Sequence, residues 1–165
     1  MKKGFRIPHS KIVGMDDYEF FWAIIEPIWP DNSVIDELEH ISQGTPGQRA
    51  IYATTLFMRE VDNGGLEQFF LNSSGLYSKE VLIGFQLLGM NEHAEIIKRS
   101  FNFFPNGEVP LDSEERQEYL NKKEKEIKAF FEPLSDQIYG EERLFPYFRK
   151  YIESHPEEFF VDNYS

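Results

Sequence analysis

The chain contains no cysteine in its 165 residues. Disulfides, thiol nucleophiles and thiolate metal sites are therefore excluded. No apolar run approaches the roughly 18 residues that a membrane-spanning helix needs. The opening Met1-Lys2-Lys3-Gly4-Phe5-Arg6 is basic, but no apolar stretch follows it, so a secretory signal is not expected. The expectation is a soluble cytoplasmic protein. No segment alternates with period two, so no significant sheet is expected. No internal repeat or low-complexity tract is visible.

Histidine is sparse, and His9, His40, His93 and His155 lie far apart in sequence. Glu37-Leu38-Glu39-His40 has the Glu-x-x-His spacing of carboxylate-bridged di-iron bundles, but those sites need it twice. It occurs once, so no metal and no cofactor are expected. His93 reads as a capping or surface residue. There is no Gly-x-Ser-x-Gly elbow and no phosphate-cradling Gly-x-x-x-x-Gly-Lys loop.

Positive charge is also scarce where it would matter for nucleic acid. The net charge is -12, which argues against direct phosphate binding. The first eleven residues carry Lys2, Lys3, Arg6 and Lys11 and no acid. Residues 12–48 carry Asp16, Asp17, Glu19, Glu26, Asp31, Asp36, Glu37 and Glu39 and no Lys or Arg. Residues 151–165 add Glu153, Glu157, Glu158 and Asp162, again without a basic residue. One-sign regions steer partners of opposite sign. Acidic surface also serves solubility alone.

What the chain has in plenty is aromatic residues, with 16 Phe, 8 Tyr and 2 Trp. The core should be aromatic-rich. The periodicity is helical nearly throughout, and the fold class is all-α, one domain of about seven to nine helices. Tyr18, Phe21, Trp22, Ile25, Ile28 and Trp29 form a first stripe, capped by Asp16 or Asp17 and kinked or shortened by Pro27. Ser33 can cap a second helix with the stripe Val34, Ile35, Leu38, Ile41, and Gly44 can stop it. Thr45-Pro46 opens a third, running to about Asp62. A short helix over Leu66 to Leu71 should follow. Ser78 and Asn91 can each cap a further helix, the first with Val81, Leu82, Phe85 and Leu88 inward. Pro105-Asn106-Gly107-Glu108-Val109-Pro110 is a loop and a conceivable boundary. Asp112 then opens a charge-laced helix that Pro133 interrupts, with Glu124 and Lys128 as an i, i+4 pair. A last helix spans about Arg143 to Ser154. The organisation expected is a basic arm over 1–15, a helical domain over 16–154, and an acidic aromatic tail over 155–165 whose Phe159 and Phe160 should dock.

The most unusual stretch is Glu60-Val61-Asp62-Asn63-Gly64-Gly65-Leu66-Glu67-Gln68-Phe69-Phe70-Leu71-Asn72-Ser73-Ser74-Gly75. The helical period before Asn63 argues for a helix end rather than a hairpin, with Gly64 or Gly65 at positive φ. Glu60 can reach amides at the new helix start, Gln68 can bridge the two arms, and Asn72 can close a second turn. Phe69 and Phe70 should divide, one entering the core and one packing on a neighbour. The polar groups either form a satisfied network holding a corner or converge on a small cleft.

The pattern Glu60, Asn63, Gly64, Gly65, Gln68, Phe69, Phe70, Asn72, Gly75 resembles the signature of a bacterial all-helical family typified by an acidic DNA-mimic protein. The layout from about Trp22 to Ile152 is also similar. The resemblance implies a helical, often homodimeric domain. In the typifying member, surface carboxylates imitate DNA phosphates and occupy a DNA-binding regulator. Carboxylates one helical turn apart lie about 5–6 Å apart at Cβ, and Asp16 with Glu19, and Asp36 with Glu39, have that spacing. The expected function is a non-enzymatic acidic protein that binds a basic protein partner through Asp16, Glu19, Asp36, Glu37 and Glu39. A DNA-binding transcription regulator is the sharpest form of that partner. The alternatives are a small-molecule or hydrolytic domain using Glu60, Asn63, Gln68 and Asn72, and a self-associating structural domain.

Overall fold

A computed structural model describes residues 4–31, 34 and 36–161. Nine α-helices lie among them, in the order α1 Asp17–Ile25, α2 Glu37–Ser42, α3 Pro46–Leu71, α4 Ser78–Leu87, α5 Asn91–Ser100, α6 Ser113–Lys122, α7 Glu124–Ser135, α8 Phe145–Ser154 and α9 Pro156–Phe159. Extended pairing among the described residues is limited to one parallel bridge, Ile7 with Phe160. The all-α class is as expected. The backbone groups into two compact units, residues 1–52 with 142–165, and residues 53–141. The boundaries fall away from the Asn106 loop that composition singled out.

In the first unit, Asp16 caps α1 by accepting from the Glu19 amide at 2.8 Å, while Glu19 accepts from the Asp16 amide at 3.1 Å. Two orphan donors of the first turn are thereby satisfied. Pro27 shortens the helix, which ends at Ile25. The buried stripe is Phe20, Phe21, Ile24, Ile25 and Ile28. Tyr18 and Trp22, read from sequence as core, are 60% and 36% exposed. The helix is rotated so that the adjacent pairs at 20–21 and 24–25 point inward, a registration that a 3.6 period leaves open. Phe21 meets Phe145 and Phe148 of α8 at 4.7 and 5.7 Å between ring centroids.

Helix α2 begins later than expected. Its cap is Asp36, which accepts from the Glu39 amide at 3.0 Å. Ser33 and Ile35 lie outside the described residues. Ile41 is buried, but Leu38, one turn before it, is 49% exposed. Thr45 and Gln48 form a reciprocal cap at the start of α3, with bonds of 3.2 and 3.0 Å.

The tail docks as expected. Phe159 and Phe160 are buried, and Ile7 exchanges backbone hydrogen bonds with Phe159 and Val161 at 3.0 and 3.1 Å. The Glu158 carboxylate accepts from the Gly47 amide at 2.6 Å and from the Tyr151 hydroxyl at 2.7 Å. An acid at the N-terminus of α3 is favoured by the helix dipole.

The second unit is built around phenylalanine. Phe57 meets Phe69 at 4.9 Å and Phe85 at 5.4 Å. Phe70 meets Phe104 at 5.1 Å and Phe131 at 5.3 Å. Phe69 and Phe70 are both fully buried, contrary to the expected division. Their rings lie at 69° to one another, so both enter the core. Each contributes about 1.5–3 kcal/mol relative to exposure.

Several local expectations are corrected here. Ser78 does not cap α4, because its hydroxyl donates to the Gly75 carbonyl at 2.6 Å. Asn91 is the first residue of α5, not its cap. His93 is buried at 3% exposure with its ring 5.2 Å from Phe85, so it is a core residue. The charge-laced segment divides at Lys123 into α6 and α7. Pro133 lies inside α7, which continues to Ser135. The ion pairs of this region are Lys122–Glu118 at 2.7 Å and Lys123–Glu126 at 3.6 Å, rather than Glu124–Lys128. The last helix starts at Phe145, after a 3-10 turn over Glu141–Leu144.

Candidate functional site

The Glu60–Gly75 stretch lies wholly in the second unit. Helix α3 breaks at Gly64 (φ -158°, ψ 23°) and Gly65 (φ 72°, ψ -174°) and resumes at Leu66. Gly65 takes the positive φ, in a region open essentially to glycine alone. Gly64 serves another purpose, since a Cβ there would stand 2.2 Å from Gln68 Oε1. Its absence lets Gln68 fold back across the break.

The polar groups of the corner meet one another. Glu60 Oε2 accepts from Gln68 Nε2 at 2.8 Å and from Asn72 Nδ2 at 2.9 Å. Gln68 thus bridges the arms as expected. Glu60 does not cap the new helix start. The Leu66 amide there donates instead to Ser135 Oγ at 2.9 Å, and that hydroxyl donates to the Phe131 carbonyl at 2.9 Å. Asn72 does not close the second turn through its side chain, which is spent on Glu60. Asn63 is exposed and joins none of these bonds. So three of the four polar residues converge, and Asn63 does not.

The far end of the corner is held by a residue that sequence reading passed over. Arg116 is fully buried. Its Nε donates to the Phe70 carbonyl at 2.6 Å, Nη2 to Asn72 at 2.8 Å, and Nη1 to Pro110 and Leu111 at 2.9 and 3.3 Å. Gln117 Nε2 donates to the Leu71 carbonyl at 2.8 Å. Three successive carbonyls at the end of α3 are thereby satisfied. Burial lowers the Arg116 pKa, opposed by the nearby Asp112 carboxylate. Gly75 is required by this arrangement, since a Cβ would stand 2.5 Å from Arg116 Nε.

A cleft of about 190 Å³ adjoins the break. It is lined by Gly64, Gly65, Glu67, Lys128, Ser135 and Tyr139 among others. Glu60, Asn63, Gln68 and Asn72 are not part of it. Of the amide donors that a hydrolytic reading needs, Gln68 is turned to Glu60, and the exposed Asn63 lies outside the cleft.

The acidic candidates lie in the first unit, and all eight acids of residues 12–48 are exposed. Asp16, Glu19 and Asp36 double as helix caps. Glu37 accepts from the Tyr52 hydroxyl. Asp17 pairs with Arg149 at 2.5 Å, and the Arg149 guanidinium lies 4.2 Å from the centre of the Phe20 ring. Glu39 Oε atoms and Glu26 take no ion pair among the described residues. Capping therefore fixes where Asp16, Glu19 and Asp36 stand, while leaving their charge at the surface. No helix of the described residues is long and apolar enough to cross a membrane.

These features define an acidic, all-helical protein organised around a glycine-broken central helix. Residues 42–155 match the model of the DMP19-like protein family, and the chain belongs to that family. The matched span encloses the corner and ends before none of its partners, Arg116 and Ser135 included. Asp16, Glu19, Asp36, Glu37 and Glu39 all precede it. Searches of curated proteins and of solved structures return no match.

Proposed function

We propose that this chain is a non-enzymatic acidic interaction protein that binds a basic protein partner, acting in the cytoplasm as a homodimer. DNA mimicry is the sharpest form of the reading, with the carboxylates occupying the cationic site of a DNA-binding transcription regulator. The observation that carries it is the exposure of all eight acids in a stretch without Lys or Arg. Membership of the DMP19-like family supports the same reading. A cationic surface accepts such carboxylates through Arg and Lys, and complementary charge speeds and orients the encounter.

The corner supports a scaffolding role. Gln68 and Asn72 are turned to the Glu60 carboxylate, and the buried Arg116 to backbone carbonyls, which is how polar groups stabilise a fold. The test is the combined variant Asp36→Asn, Glu37→Gln, Glu39→Gln. Asparagine still caps a helix, and glutamine still accepts from Tyr52. Partner binding should weaken and lose its salt dependence while the fold persists. Unchanged affinity would exclude this surface.

A further inference from the structure

The second unit carries a surface of the opposite character. Two adjoining hollows of about 540 and 330 Å³ share Asn102, Ala129 and Phe130. Their floor is aromatic. The half-buried Phe103 lies 5.1 Å from Phe130 and 6.2 Å from Tyr119 between ring centroids. The Tyr119 hydroxyl donates to the Phe103 carbonyl at 2.9 Å, which holds its ring upright as a wall. Phe131, fully buried, backs Phe103 at 4.8 Å, so the floor rests on core.

The rim is cationic in a chain of net charge -12. Arg99, Lys123 and Lys125 stand around the two hollows, with Glu126 as the acid among them. Lys123 lies 3.6 Å from Glu126. Among the described residues neither Arg99 nor Lys125 has an ion-pair partner. Half-exposed aromatics beside an arginine are the composition of protein recognition surfaces.

We infer that this groove docks a short acidic peptide segment of a partner protein. An aromatic side chain of that segment seats on Phe103 and Phe130, and its carboxylates reach Arg99 and Lys125. Charge complementarity selects this occupant. A nucleic-acid strand presents a denser row of negative charge than so few cations can neutralise. The groove shares no residue with the acidic surface of the first unit, so the two readings stand or fall separately.

The test is fluorescence anisotropy on the full chain with a labelled short peptide of Asp and Glu around one Phe. Saturable binding at micromolar concentration is expected, weakening with salt. Arg99→Glu with Lys125→Glu should weaken it about tenfold or more, as should Phe to Ala in the probe. Both protein positions are exposed, and circular dichroism checks that the fold is kept. The variant Asp36→Asn, Glu37→Gln, Glu39→Gln should bind the probe as the parent does. Absence of saturable binding, equal binding of a Lys-containing probe, or tighter binding of a single-stranded oligonucleotide would overturn the inference. So would sedimentation showing a dimer that the charge-reversed variant loses, which would make the groove a contact between copies.

Discussion

Arg116 Nε stands 2.6 Å from the Phe70 carbonyl oxygen, joining a buried guanidinium to the end of the helix that carries both signature aromatics. Removing the guanidinium leaves the buried Phe70 carbonyl without its side-chain donor, while the Asn72 carbonyl keeps only the Gly75 amide. Arg116→Met should therefore destabilise the chain by about 3 kcal/mol or more. Gly75→Ala should cost a comparable fraction of that by displacing the side chain. Urea unfolding of both variants measures this. Parent-like midpoints would mean that the carbonyls find other partners.

The glycine pair makes a sharper contrast. Gly65→Ala should lose about 1–3 kcal/mol, because its φ of 72° is strained for any residue with a Cβ. Gly64→Ala meets no such backbone strain but drives Gln68 off Glu60. The two costs are distinguishable in a double-mutant cycle with Glu60→Gln. Gly64→Ala should couple to that change, and Gly65→Ala should not.

Alkaline pH probes the junction of tail and α3. Burial first, and then the hydrogen bond to Glu158, raise the Tyr151 pKa above its ordinary value. A raised tyrosine keeps its proton in the folded state and loses it more readily when unfolded. Its stabilising contribution is therefore full below about pH 10 and falls as pH rises beyond that. Tyr151→Phe should lower stability at pH 8 and flatten the decline between pH 9 and 11. Urea midpoints across that range check it, and parallel declines would contradict it.

The helix class, the break at Gly64-Gly65, the Thr45-Pro46 start and the docking of Phe159 and Phe160 were legible because each is written in local chemistry. A cap, a proline and an adjacent glycine pair act within a turn of chain. What was not legible depends on distant partners. Arg116 reads as one more charge on a solvated helix until Phe70, Asn72 and Pro110 are seen to surround it. Ser135 gives no signal that it receives the Leu66 amide, 69 residues away in sequence. Glu60, Gln68 and Asn72 were recognised as a group, but their geometry was not, because three polar side chains can meet in several ways. Gly75 was noticed only as part of a pattern, and its reason lies in the guanidinium beside it.

The acidic surface makes its own prediction about ionic strength. Exposed carboxylates attract a partner over roughly the Debye length, about 10 Å at 0.1 M salt. Neutralising Asp16 and Glu19 as Asn and Gln should slow association more than it speeds dissociation. Surface plasmon resonance at two salt concentrations separates the rates. A change confined to dissociation would place these residues in a desolvated contact instead.

The most direct measurement is capture of the partner on the immobilised chain, followed by challenge with duplex DNA. A basic protein is expected, retained at low salt, released by DNA or high salt, and not retained by the variant Asp36→Asn, Glu37→Gln, Glu39→Gln. A partner held equally by that variant, and indifferent to both salt and DNA, would contradict that expectation.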